Sequence, residues 1–323
     1  MYNPDFSIVT PTFNQLDWLR LCIASVRDQA VATPSRLDAG LSTLTIEHII
    51  QDAGTPGIEE LARELGAAFY RDGQLVFGER KETSEKRRET SHQHSNPAVK
   101  ERPAYSLKIF SEKDAGMYDA INRGLARSSG EIFAWLNSDE QYLPETLSKV
   151  AEVFQQQTKL DVLLGDAILL NYSLEPICYR RIMLPSLWHT RLDHLHSLSC
   201  AMFFKKSSLP NPPLNPRWKV ISDAVLMEHF LVNRKNIHAC RLPLAAYAFT
   251  GQNLSADKNC KELDQWWAET RRPPRALRPF VILHNRLRRF LAGAYQNFQL
   301  DTKIHTSFGY KSLRVSVSGL WPR

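Results

Sequence analysis

The chain has 323 residues, 43% of them hydrophobic, enough to bury a substantial core in one large domain with an appendage or in two modest domains. No run approaches the roughly 18 apolar residues of a membrane span; the five cysteines (Cys22, Cys178, Cys200, Cys240, Cys260) are scattered without a CxxC pair, which argues against a disulfide framework and a thiolate zinc site. The net charge of +7 sits at one end, where residues 271–323 hold eleven Lys/Arg against Asp301 alone; basic residues are therefore not interleaved along a groove, and nucleic acid is not an expected partner.

In chain order, FSIVT (6–10) reads as a first strand. It follows the N-terminus without a signal-peptide pattern, so a cytoplasmic location is expected. The strand ends in PTFN, after which Leu16, Leu19, Ile23 and Val26 recur at helical spacing. A second apolar run, Leu44 to Ile50, ends in QDAGTPG, a Gly/Pro turn before the amphipathic segment IEELARELG. Residues 78–103 are charged and almost without large apolar side chains, and are expected to form a mobile insertion.

LKIF (107–110) resumes the pattern, followed by a turn at SEKDAG, a helix from about Gly116 to Arg127 and the strand EIFAWL (131–136) ending in NSDE. Pro144 suits the first turn of the next helix, whose Leu147, Val150, Ala151 and Phe154 form one stripe, and LDVLLGD (160–166) closes this half. Strands alternating with helices predict an α/β fold with a mostly parallel, Rossmann-like sheet covered on both faces. Ligands of such sheets sit beyond the carboxyl ends of the strands, where PTFN, QDAG and NSDE fall. The expected division is 1–170 as a ligand-binding half, 171–262 as a less regular second half interrupted by PNPPLNP but holding a helix from Asp223 to Asn233, and 263–323 as a basic helical tail.

Two strand ends carry chemistry. Asp139 stands with Asn137 two residues before it and Glu140 after it, an oxygen-rich cluster that fits a hard divalent cation such as Mg²⁺ or Mn²⁺, and equally a turn or helix cap. Asp52 ends the second strand, where a carboxylate can accept a hydrogen bond from a base imide or simply close the turn.

Taken together, SIVTPTFNQ (7–15), IIQDAGTPG (49–57), SEKDAGMYDAINRGLARSSGEIFAWLNSDE (111–140), VLLGDA (162–167), FFKKSSL (203–209) and SDAVLMEHF (222–230) resemble the family 2 glycosyltransferases of the GT-A fold over most of residues 6–230. The resemblance implies that Thr10 and Pro11 line a nucleoside pocket, that Asp52 binds the base, and that Asp114 lies in a loop closing over nucleotide and sugar. It places Asn137, Ser138 and Asp139 in the family's DxD motif, with Asp139 as metal ligand, and Asp223 as the base that deprotonates an acceptor hydroxyl. Asn137 departs from the acid often found first in the motif, and Glu140 stands where Asp is commoner, so a weaker hold on the metal is implied. His194 and His196 precede SCAMFF where the family often shows a His-Gln pair; a third metal ligand and a hydrogen-bonded structural histidine are both open for them.

The activity so implied is inverting transfer of a sugar from a nucleotide-diphosphate donor to a saccharide or lipid-linked saccharide acceptor, of the kind used in cell-surface polysaccharide or glycolipid synthesis. A non-catalytic sugar-nucleotide binder is the rival reading; a nucleotidyltransferase is less favoured because PTFNQLDW lacks the Gly and Lys of a triphosphate loop. In the tail, Phe280, Leu283, Leu287, Phe290, Leu291 and Ala294 share one helical face, with Arg278, Arg286, Arg288 and Arg289 mostly around it. Either the apolar stripe packs on the body with its arginines solvated, or the helix lies on an anionic membrane surface.

Overall fold

The structure, a computed structural model, describes residues 4–30, 43–78, 104–193, 195–251, 253, 259–270, 273–296 and 299–316. The expected insertion lies, from residue 79 to 103, outside the described residues, and so does His194.

Eleven strands, β1 (Phe6–Thr12), β2 (Ile46–Asp52), β3 (Ala68–Arg71), β4 (Gln74–Phe77), β5 (Tyr105–Ser111), β6 (Ile132–Trp135), β7 (Glu140–Tyr142), β8 (Val162–Leu170), β9 (Pro176–Arg180), β10 (Met202–Lys205) and β11 (Ile237–Ala248), form one sheet. Their order is β4-β3-β5-β2-β1-β6-β10-β8-β11-β7, with β9 paired to β8. β1, β2, β3, β5, β6, β8 and β11 run in one direction and β4, β7, β9 and β10 in the other, so the sheet is mostly parallel, as expected. The second half of the sequence is thus not a separate layer: β10 and β11 continue the sheet begun by β1.

Helices α1 (Leu16–Arg27), α2 (Ile58–Glu64), α3 (Met117–Arg127), α4 (Thr146–Gln156), α5 (Leu187–Leu192) and α6 (Ser222–Val232) accompany the strands, followed by α7 (Asn259–Glu269) and α8 (Arg278–Leu291). Strand side chains alternate between two cores. Ile8, Ala134, Leu163 and Phe203 join Cys22 and Val26 of α1 and Leu147 and Val150 of α4, whereas Val9, Trp135, Leu164 and Phe204 join Ile121 and Leu125 of α3 and Leu226 and Phe230 of α6. Burial on both faces explains why these strands read as unbroken apolar runs rather than alternating ones. α3 lies tight on β1: a Cβ at Gly124 would stand 2.5 Å from Val9 Cγ1.

The tail departs from the sequence expectation in one way. Its last part is a hairpin, β12 (Leu300–Thr306) and β13 (Gly309–Val315), rather than helix. Ile304, Leu313 and Val315 pack with Leu143, Ile168, Leu170 and Tyr179, and Gly309, at φ 104°, makes the turn. Residues 313 and 315 alternate inward, the period of a strand. In α8, moreover, the apolar stripe is not what packs on the body. Asn285 and Arg289 are buried, while Phe280, Leu283, Leu287, Phe290 and Leu291 are exposed and only Ala294, past the helix end, is buried.

Candidate active site

Because β1, β2, β5 and β6 are parallel neighbours, the loops that follow them emerge on one edge of the sheet. In register, Thr12 lies opposite Asp52 and Asp52 opposite Ser111. Asp52 is fully buried; its carboxylate accepts hydrogen bonds from the backbone N–H of Gly54 (2.9 Å) and Thr55 (3.1 Å) and from the Ser111 hydroxyl (2.7 Å). These bonds close the turn after β2. Thr10 is likewise turned into the core, its hydroxyl 2.9 Å from His48 Nε2, so its side chain does not line the site, and Pro11 is buried beside it. Burial pushes His48 down to about 3, which keeps this core histidine neutral. What the end of β1 does present is Phe13, 58% exposed, on a loop held by Asn14 N–H donating to the Thr55 hydroxyl.

The loop after β5 carries Asp114, which accepts the Gly116 N–H at 2.9 Å; Asp119 accepts that of Ala115. Partial burial, with the nearby Asp119 and Asp52 carboxylates, raises Asp114 above the usual carboxylate range. Lys219 reaches from the loop before α6 to the Ala115 carbonyl, and a cleft of about 270 Å³ opens between these two loops, lined by Gly116, Met117, Tyr118, Pro216, Trp218 and Lys219.

Between β6 and β7 stand the four residues of NSDE. Ser138 donates to the Gln15 side-chain carbonyl, which ties this turn to the start of α1. Glu140 is wholly buried and folds back to accept the Asn137 N–H at 2.7 Å, while its second oxygen has no partner among the described residues. Burial, then repulsion from Asp139, raises its proton affinity, so Glu140 acts as a local brace and not as an outward ligand. Asp139 receives the Asn253 amide at 3.0 Å, and burial raises it as well. Asn137 Oδ1 is buried and, among the described residues, unpartnered.

Among the described residues, no three or more His, Cys, Asp or Glu side chains gather as a metal cage. The oxygens of Asp139 and Asn137 nonetheless fit a hard cation that takes most of its shell from phosphate and water: one is a carboxylate with no cationic partner among the described residues, the other an orphaned amide oxygen.

Asp223 occupies the first turn of α6. Its Oδ1 accepts the Ala224 N–H at 2.8 Å and lies 3.3 Å from the Tyr118 hydroxyl, whose single proton is shared between it and the Val220 carbonyl at 2.9 Å. Burial pushes Asp223 up to about 6, against the pull of these hydrogen bonds. Its charge also opposes ionisation of Glu140, so the two acids are within electrostatic reach although 83 positions separate them in sequence. His196 is structural: its Nε2 lies 2.9 Å from Asp193 and its Nδ1 faces Arg180.

Asp114 and Tyr118 thus stand on the loop and helix that meet Asp223, and Asn137, Ser138 and Asp139 on the turn that carries Glu140, while Thr10 and Asp52 are buried beneath. Tyr118, Asn253 and Gln15 touch the candidate residues Asp223, Asp139 and Ser138 and were passed over in sequence reading. Each lies more than 100 residues from its partner, and no local pattern marks them.

Residues 106–168, from β5 to β8, match the family described as Glycosyl transferase family 2. No curated protein matches the chain in sequence. Among solved structures, S. aureus TarS 1–349 in complex with UDP-GlcNAc superposes with a TM-score of 0.51 at 12% identity, over 89% of this chain and 73% of that one. Against the longer S. aureus TarS structure the TM-score is 0.49 at 12% identity, over 88% of this chain and 43% of that one, so the chain spans less than half of that protein's length. The mannosyltransferase PcManGT from Pyrobaculum calidifontis, in complex with GDP-Man and Mn²⁺, gives 0.47 at 11% identity, over 89% of this chain and 70% of that one. The fold is that of the GT-A glycosyltransferases. The family match is confined to the segment that contains α3 and the NSDE turn.

Proposed function

We propose that the chain transfers a sugar, with inversion, from a nucleotide-diphosphate donor to an acceptor hydroxyl on a saccharide or lipid-linked saccharide, in cell-surface polysaccharide or glycolipid synthesis. The observation that carries this reading is the pairing of Asp223 with Tyr118. A carboxyl raised to about 6 is largely ionised near neutral pH yet basic enough to take a proton, and Tyr118 fixes its orientation. In one displacement Asp223 accepts the acceptor proton, the freed oxygen attacks the anomeric carbon, and nucleoside diphosphate departs from the opposite face; no covalent sugar-enzyme intermediate is required.

The donor lies across the carboxyl ends of β1, β2 and β6, with Asp114 and Ser138 at its sugar and phosphates, Phe13 beside the base, and Thr10, Pro11 and Asp52 shaping the floor indirectly. Asp139, with Asn137, is assigned to a Mg²⁺ or Mn²⁺ ion, which when bound would offset the charge growing on the diphosphate. Residues 1–170 then form the donor half and 171–262 the acceptor half of one catalytic unit, with 263–323 appended. Thermal shift of the purified chain across a panel of sugar nucleotides, with and without Mn²⁺, tests the donor assignment. A stabilised complex that shows neither donor hydrolysis nor transfer would instead identify a non-catalytic binder.

A further inference from the structure

The segment 271–291 contains seven arginines and no acidic residue, and its helix α8 docks through its polar side. Asn285 donates to Asp193 at 3.0 Å; Arg288 reaches His189 Nδ1 at 2.8 Å and donates to the Leu184 carbonyl at 3.1 Å; His284 stacks on His189. At the C-terminal end, Arg241 and Arg181 donate to the Ala292 and Gly293 carbonyls. These polar contacts fix the rotation of the helix, so it cannot roll to bury its apolar side. On a helical wheel, Phe280, Leu283, Leu287, Phe290 and Leu291 fall within an arc of about 100° centred opposite Asn285, and Arg286 and His284 border it. The five are 70%, 67%, 52%, 66% and 76% exposed.

We infer that this face of α8 is the surface by which the protein lies on an anionic lipid bilayer, the helix axis in the interfacial plane. A stripe about 16 Å long, bordered by the Arg286 guanidinium and facing away from the body, suits the boundary between headgroups and acyl chains. The charge decides between occupants. A second copy presenting the same face would bring two acid-free, arginine-rich segments together, which repel, whereas an anionic surface attracts them. Among the described residues no helix is long and apolar enough to cross a membrane, so this contact is interfacial. α8 packs on α5, and Arg191 of α5 pairs with Glu228 of α6 at 2.6 Å, which links the lipid-facing helix to the one that carries Asp223. The inference rests on the proposed transfer only in taking the acceptor to be lipid-linked.

Sedimentation of the full chain with vesicles tests it. Binding is expected to vesicles of phosphatidylcholine containing phosphatidylglycerol, weakened by salt, with little to phosphatidylcholine alone. Leu283→Ser combined with Leu287→Ser should lower the partition coefficient more than about tenfold and Arg286→Gln roughly fivefold. Both should leave the melting temperature unchanged, because these side chains are exposed. Equal sedimentation of the double serine variant and the parent, recovery of the parent in the supernatant with both lipids, or a solution dimer that the double variant converts to monomer would each overturn the assignment. Turnover on a short soluble acceptor separates the two readings: turnover without vesicle binding sinks the bilayer contact alone, and vesicle binding without turnover sinks the transfer reading alone.

Discussion

Replacing Asp223 by Asn should inactivate the protein and stabilise it at once. Burial lifts this carboxyl from 3.8 to about 6, which means that the folded state holds the proton more tightly than the unfolded chain does. The stability this group contributes is therefore complete below about pH 4 and is lost as pH rises through about 6. Keeping so proton-avid a carboxyl ionised in the folded state costs roughly 3 kcal/mol at neutral pH. Asn keeps an oxygen to accept the Ala224 N–H and the Tyr118 hydroxyl but carries no charge to desolvate, so Asp223→Asn should gain about 2–3 kcal/mol over the parent above pH 6 and nothing near pH 4. In the proposed transfer the same change removes the general base, a loss of about 10²- to 10⁴-fold. Melting temperatures of both proteins from pH 4 to 8, set beside kcat/KM of the parent over the same range, read both effects. The parent rate should fall about tenfold for each step of one in pH below 6. A flat rate profile across that range, or an Asn variant no more stable than the parent at pH 7, would refute the assignment of an isolated, desolvated base.

Tyr118→Phe removes a donor that favours the charged form of Asp223, so the acid limb of the rate profile should move to higher pH while donor affinity holds. Asp139→Ala should weaken nucleoside-diphosphate binding in Mn²⁺ and erase the difference between Mn²⁺ and chelator; calorimetry showing equally tight parent binding in chelator would end the metal assignment. Gly130→Ala would set a Cβ 2.5 Å from the Ser7 backbone nitrogen, at the joint between β1 and the start of β6, and should cost about 1–3 kcal/mol, seen as a lower midpoint in urea.

The strands and helices of the first half were legible because burial on both faces leaves continuous apolar runs, and because Gly, Pro and Asp punctuate them at QDAGTPG, SEKDAG and NSDE. Boundaries moved by a residue or two: α4 begins at Thr146, after Glu145 adopts a left-handed conformation, rather than at Pro144. The hairpin 300–315 was not legible, since only residues 304, 313 and 315 are buried in it and the residues they pack with, among them Leu143, Ile168, Leu170 and Tyr179, lie more than 120 positions earlier.

Sequence alone determined that an α/β sheet would bring polar strand ends to one edge, and which acids stand there, because strand direction and turn chemistry are local properties. Tertiary structure decided what each acid does. Backbone N–H groups and Ser111 lie within reach of Asp52 and Glu140 and hold them in their turns, while burial raises Asp223, and Tyr118, 105 positions earlier, lies against its carboxyl. It also decided which side of α8 faces outward. An amphipathic pattern defines two faces but not which one docks; here Asp193, His189 and Leu184 offered hydrogen bonds that the polar face could satisfy, and the apolar face was left outside.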